Sequence, residues 1–181
     1  KRVFTSLEFQ LAREWEKNVL SLWRGAKFRE ERYAAINLLE DKRALPLQTV
    51  ATLNLYEELI VDGAWWDYVD VIASHRVGFL LASYPAPMRR KMLLWSRSPN
   101  IWKRRTAILC QLGFKEQTDL KLLYACIEPS LPSREFFLQK AIGWALRQYA
   151  WTDPREIRRY VKDRGKQLSA LSKREAMKNL R

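Results

Sequence analysis

Trp66-Asp67-Tyr68-Val69-Asp70-Val71-Ile72 carries two periodicities, and the longer one decides the fold. Within the stretch, Trp66 and Asp70 stand four apart, so on a helix they share one face. Across the chain, its Val71-Ile72 pair is one of five alike: Ala35-Ile36, Val71-Ile72, Ala107-Ile108, Ala141-Ile142 and Ala176-Met177. The spacings are 36, 36, 34 and 35 residues. Five helices thus share one phase, usually with another helix between successive members.

That pattern predicts an all-α chain, an α-solenoid of HEAT-like helical repeats whose concave face can cradle an extended partner. The prolines Pro46, Pro85, Pro87, Pro99, Pro129, Pro132 and Pro154 mark helix boundaries. Between them, apolar periodicity predicts helices near 8–24, 28–43, 47–61, 66–77, 87–96, 100–112, 117–128, 134–150, 154–163 and 172–181, leaving 78–86 unassigned. Ser133 with Glu135, Asp153 with Glu156, and Ser172 with Glu175 read as helix starts. No alternating strand pattern and no Asn-Gly hairpin signal is present. One domain over 1–181 is expected from the length.

Charge narrows the partners. Lys and Arg number 33 against 20 Asp and Glu, a net of +13. Such a surface suits nucleic acid, an anionic membrane or an acidic protein. No apolar run approaches the ~20 residues of a membrane span, and no signal peptide is recognisable. Cys110 and Cys126 lie in helix-like apolar segments, as reduced thiols in a cytoplasmic protein do. With His75 as the only histidine, neither a structural zinc site nor any other metal is expected. His75 itself reads as a helix-end or surface residue.

The repeat phase also sorts the polar and aromatic residues. With each Ala or Val anchor at zero and ~100° per residue, Arg105 and Arg174 fall near ~160°, Trp66 near ~220° and Arg147 near ~240°. Asp70 falls near ~260° and Trp144 near ~300°, completing one broad arc turned away from the anchors. Arg104 falls on the anchor side, which favours Arg105 as the ligand contact. Trp102 shares the angle of Trp66 and is left undecided between core and surface. Trp15, Trp23, Trp65 and Trp95 read as core. Asp67, near its helix start, reads as a cap or a partner of the macrodipole. Arg89-Arg90-Lys91 and Arg155 with Arg158-Arg159 read as solvated faces. Gly143 allows either tight helix packing or close approach of a ligand.

Five ordered blocks make the chain resemble the AlkD-type DNA alkylation repair glycosylases, a HEAT-like family. They are Trp-Trp-Asp-x-Val-Asp at 65–70, Asn-Ile-Trp-x-x-Arg at 100–105, Ala-Ile-Leu at 107–109, Phe-Phe-x-Gln-Lys-Ala-Ile-Gly-Trp at 136–144 and Leu-Ser-Lys-Arg-Glu-Ala at 171–176. The resemblance implies excision of cationic alkylpurines, notably 3-methyladenine and 7-methylguanine, from duplex DNA without a cofactor. It implies an active site of Trp66, Asp70 and Trp144, and a DNA-backbone contact at Arg105. It also implies a lesion that stays largely stacked. Family members usually carry a further helical segment before the region matching Lys1, which the resemblance leads one to expect is missing here, by trimming or by descent.

The chemistry suits those residue types. A purine alkylated at N3 or N7 carries positive charge and departs neutral, so no strong general acid is required. The sugar left behind becomes oxocarbenium-like. Asp70 can stabilise it electrostatically and position water. Trp66 and Trp144 offer cation–π faces. Arg105, Arg147, Lys173 and Arg174 would neutralise phosphates, with amide donors from Ser172 at a helix start. A monomer acting on DNA in the cytoplasm, associated with the nucleoid, is expected. The competing readings are a non-catalytic DNA-binding relative and a protein-binding scaffold.

Overall fold

The computed structural model describes residues 9–180, and among them every regular element is helical. The helices are α1 (Ala12–Gly25), α2 (Arg29–Leu39), α3 (Leu53–Gly63), α4 (Trp66–Val71), α5 (Gly78–Ser83), α6 (Pro85–Trp95), α7 (Ile101–Leu109), α8 (Leu120–Ile127), α9 (Phe136–Tyr149), α10 (Pro154–Asp163) and α11 (Ala170–Ala176). No described helix is long and apolar enough to cross a membrane.

Local chemistry sets many of the boundaries. Glu14 accepts from the Gln10 and Leu11 amides at 2.9 and 3.1 Å, satisfying N–H groups ahead of α1. Asn100 caps α7 through the Trp102 and Lys103 amides at 2.9 and 3.2 Å. Asp153 caps α10 through Arg155 and Glu156, both at 3.0 Å. Each such cap is worth about 1 kcal/mol. Pro85 and Pro154 stand in the first turns of α6 and α10, where no N–H is needed.

The anchor helices α2, α4, α7, α9 and α11 pack one after another into a layer. A second layer, with α1, α3, α6, α8 and α10, lies against it. Eight of the ten anchor residues are buried, with Val71 and Met177 half-buried. The period of the sequence is therefore the period of the solenoid. Two apolar clusters result. One spans Trp15, Trp23, Tyr56, Met92 and Trp95; the other spans Leu109, Leu138, Ile142, Ile157 and Tyr160. They meet at α7, which gives Ala107 to the first and Ile108 to the second.

Several expectations shift. The helix from Trp66 does not end at 77 but runs through a π-helical segment (Ile72–Val77) into α5. The expected helix over 47–61 starts late: a 3-10 turn (Lys42–Leu47) around Pro46 precedes a second (Val50–Thr52), and α3 begins at Leu53. Position 134 is not helical, because α9 begins at Phe136, with Ser133 Oγ accepting from the Glu135 amide at 3.2 Å. The last helix begins at Ala170, capped by Ser169, and stops at Ala176. Trp15, Trp23 and Trp95 are core as expected, but Trp65 is 41% exposed. Trp65 is the extended residue before α4 and rests edge-on against Phe137 at 5.8 Å. Trp102 is buried, tilted against the same ring at 5.0 Å.

Candidate active site

The short helix α4 aims its residues at two neighbours. Asp67, in its first turn, ion-pairs with Arg29 of α2, accepts from the Tyr33 hydroxyl and receives the Tyr68 amide at 2.9 Å. That set ties the start of α4 to α2. Asp70, one turn on, faces α7. Its Oδ1 accepts from Arg105 Nε at 2.7 Å and its Oδ2 from Arg105 Nη2 at 2.8 Å, a bidentate pair. Asp70 is 8% exposed and Arg105 is 4% exposed. The Asp70 carbonyl accepts from Ser74 Oγ at 2.7 Å just where the π-helical segment begins. Such wide turns recur at functional sites.

Burial pushes the Asp70 carboxyl above its ordinary range, against the opposing pull of the Arg105 guanidinium. The nearby Asp67 charge pushes the same way as burial. A carboxylate has about four lone-pair sites. Arg105 takes two, which leaves acceptor capacity on the open side.

That side is a hollow of about 270 Å³, lined by Trp66, Asp70, Arg105, Phe136, Phe137, Lys140, Trp144, Arg147 and Glu175. The structure therefore brings Trp66, Asp70, Trp144 and Arg147 together, as the shared arc predicts. Trp66 is 46% exposed at the rim, and Trp144 is half-buried.

The other expected contacts are placed differently. Arg105 lines the hollow, but its guanidinium is committed to Asp70 and to the Phe137 carbonyl. It holds the carboxylate rather than reaching out as a free surface cation. Arg104 turns away, donating to Ser130 Oγ at 3.2 Å and the Pro129 carbonyl at 2.9 Å. Ser172 does not start a helix. It is buried, its amide donates to Ser169 Oγ at 3.0 Å, and its hydroxyl donates to the Gln139 carbonyl at 2.8 Å. A phosphate would find neither group available. Lys173 and Arg174 do not line the hollow; Lys173 is half-buried and Arg174 is exposed.

Sequence reasoning missed Phe136, Phe137, Lys140 and Glu175. The α9 residues were findable, because Phe137, Lys140, Trp144 and Arg147 fall three or four apart on one stripe. Glu175 carried a signal of its own, since it stands one residue before its anchor Ala176 as Asp70 stands before Val71, near ~260° on the shared arc. It enters the hollow because α11 presses close to α9 at Gly143, where a Cβ would lie 2.5 Å from the Glu175 Cβ and 2.9 Å from the Ser172 carbonyl oxygen. Gly143 is thus a packing glycine. Glu175 accepts from Lys140 Nζ at 3.0 Å and ion-pairs with Arg147.

Among the described residues, no group of three or more His, Cys, Asp or Glu is arranged to hold a metal ion. His75, on the surface, pairs with Glu40 at 2.5 Å.

Comparison with known proteins adds a family. A model described as DNA alkylation repair enzyme matches residues 1–180. A solved structure described as a predicted DNA alkylation repair enzyme from Enterococcus faecalis superposes with a TM-score of 0.83 at 30% identity, covering 93% of this chain and 76% of that one. No curated protein matches the sequence.

Proposed function

The chain belongs to the DNA alkylation repair enzyme family, and from that premise we propose that it is a DNA glycosylase for purines made cationic by alkylation, 3-methyladenine and 7-methylguanine among them. The observation that carries this reading is the convergence of the Asp70 carboxylate with the Trp66 and Trp144 indoles on one open hollow.

The reaction breaks the C1′–N bond, and the bonding pair stays with the base, cancelling its positive charge. The sugar becomes oxocarbenium-like. Asp70 is already fixed by Arg105, so it stabilises that charge without reorganising during the reaction. Water then adds at C1′ and gives up a proton, which Asp70 or solvent accepts. Trp66 and Trp144 supply cation–π contacts of roughly 0.5–2 kcal/mol each. Neither indole suffices alone, and the carboxylate provides the larger share. Arg105 acts through Asp70 as a positioning residue. Arg147 on the hollow, with Lys173 and Arg174 farther out, would contact the backbone of the damaged duplex. A monomer suffices for this scheme, since one chain contributes all three groups.

The test is release of 7-methylguanine from methylated duplex DNA, wild type against Asp70→Asn. Release by the wild type and its loss in the variant support the reading. Duplex binding with no base released would favour a non-catalytic DNA-binding relative. Equal release by both proteins would remove Asp70 from the mechanism.

A further inference from the structure

The hollow holds a second carboxylate, and the glycosylase chemistry gives it no work. Glu175 reaches it from α11 across the close contact at Gly143. Its two oxygens are divided between two cations of α9: Oε1 accepts from Lys140 Nζ at 3.0 Å, and Oε2 pairs with Arg147. Lys140 and Arg147 lie three before and four after Gly143, so they flank that contact on one helix face. The lysine's hydrogen bond, assisted by the arginine's, holds the Glu175 carboxyl below the usual range, although burial pushes it up.

The charges along the hollow fall into two sets. Asp70 and Arg105 neutralise each other, with the arginine side chain only 5% exposed. Lys140, Arg147 and Glu175 sum to one positive charge. The Lys140 and Arg147 side chains remain open to solvent at 40% and 22%, while Glu175 beneath them is at 14%. An anion entering the hollow therefore meets the lysine and arginine first. A phosphodiester presents two non-bridging oxygens that share one negative charge, in a fork like that of a carboxylate.

Resting on the reading of this hollow as a DNA site, we propose that Lys140 and Arg147 form a phosphodiester subsite that Glu175 occupies in the free protein. A backbone phosphate displaces the glutamate, first from the more exposed lysine. Glu175 thus acts as a built-in competitor that lowers affinity for ordinary DNA.

The experiment measures binding of a labelled, undamaged duplex by fluorescence anisotropy across a salt series, with 7-methylguanine release followed in parallel. Glu175→Gln is expected to bind about tenfold more tightly than wild type, because Lys140 and Arg147 lose the carboxylate that occupies them. In a Lys140→Gln/Arg147→Gln background, the same change should do nothing. Lys140→Gln alone keeps the Glu175–Arg147 pair and serves if Glu175→Gln does not fold. It should weaken binding and make the log K against log salt slope shallower by about 0.9. Unchanged or weaker binding by folded Glu175→Gln overturns the subsite. So does an equal gain in the cation-free background, or an unchanged slope for Lys140→Gln. Base release without these affinity shifts removes the subsite and leaves the glycosylase reading standing. The shifts without base release do the reverse.

Discussion

At the scale of single residues, the Asp70–Arg105 pair sets the chemistry and its pH dependence. Burial raises the Asp70 carboxyl and Arg105 lowers it. A carboxyl raised in the folded state contributes stability while protonated, below its unfolded value, and loses that contribution as pH rises through its folded value. The ionised Asp70 that the reaction needs is therefore a cost to the fold, which the bidentate guanidinium offsets only in part. Base release should fall on the acid side as Asp70 takes up its proton. Arg105→Gln removes the lowering influence, so the acid limb of the pH–rate profile should move to higher pH. An unmoved limb would mean that Asp70 is not the group titrating. Asp70→Asn should cost about 10²–10³-fold in single-turnover rate, the usual loss for one preorganised electrostatic group. Trp66→Ala should cost far less, about 2–30-fold, since a cation–π contact is worth roughly 0.5–2 kcal/mol. A larger loss with normal DNA affinity would give Trp66 a further part in positioning the lesion.

At the scale of elements, the contact between α9 and α11 decides which side chains reach the hollow. Gly143→Ala would place a methyl 2.5 Å from the Glu175 Cβ and 2.9 Å from the Ser172 carbonyl oxygen. Backbone at that distance cannot yield by a rotamer change, so α11 must move. A loss of about 1–3 kcal/mol in urea unfolding is expected, the usual cost of overpacking. Gly25→Ala is the control. A Cβ there meets nothing within 4 Å, and the backbone is not left-handed, so no loss is expected. Equal losses would mean that the α9–α11 contact is not the cause, because helix propensity alone favours Ala over Gly. The π-helical segment shows where local pattern fails. Apolar spacing predicts that a helix starts at Trp66 but carries no mark of the wide turn over Ile72–Val77, which joins α4 to α5. Trp65 failed as core for a related reason. It is the extended residue before α4, outside the helical phase, so the phase could not orient it.

At the scale of the whole molecule, the excess positive charge is long-ranged and belongs to no single site. If three or more phosphates are engaged, log K for duplex DNA should fall against log salt with a slope steeper than about −2.7. A nearly flat titration would remove the glycosylase, the DNA-binding relative and the phosphodiester subsite together. The helical solenoid was legible in the chain because a repeat period near one helix pair puts the anchors of Ala35, Ala107, Ala141 and Ala176 in the same buried layer. The meeting of Trp66, Asp70, Trp144 and Arg147 was legible too, since phase within a regular array fixes which way a side chain points. What only the tertiary structure decided is how those groups are paired. Arg105 turned inward to Asp70, Ser172 was spent on Ser169 and Gln139, and Glu175 came to lie between Lys140 and Arg147. Direction around a helix follows from residue spacing alone. Partnership depends on the distance between helices, which is set by how closely side chains such as the missing Cβ of Gly143 let two backbones approach.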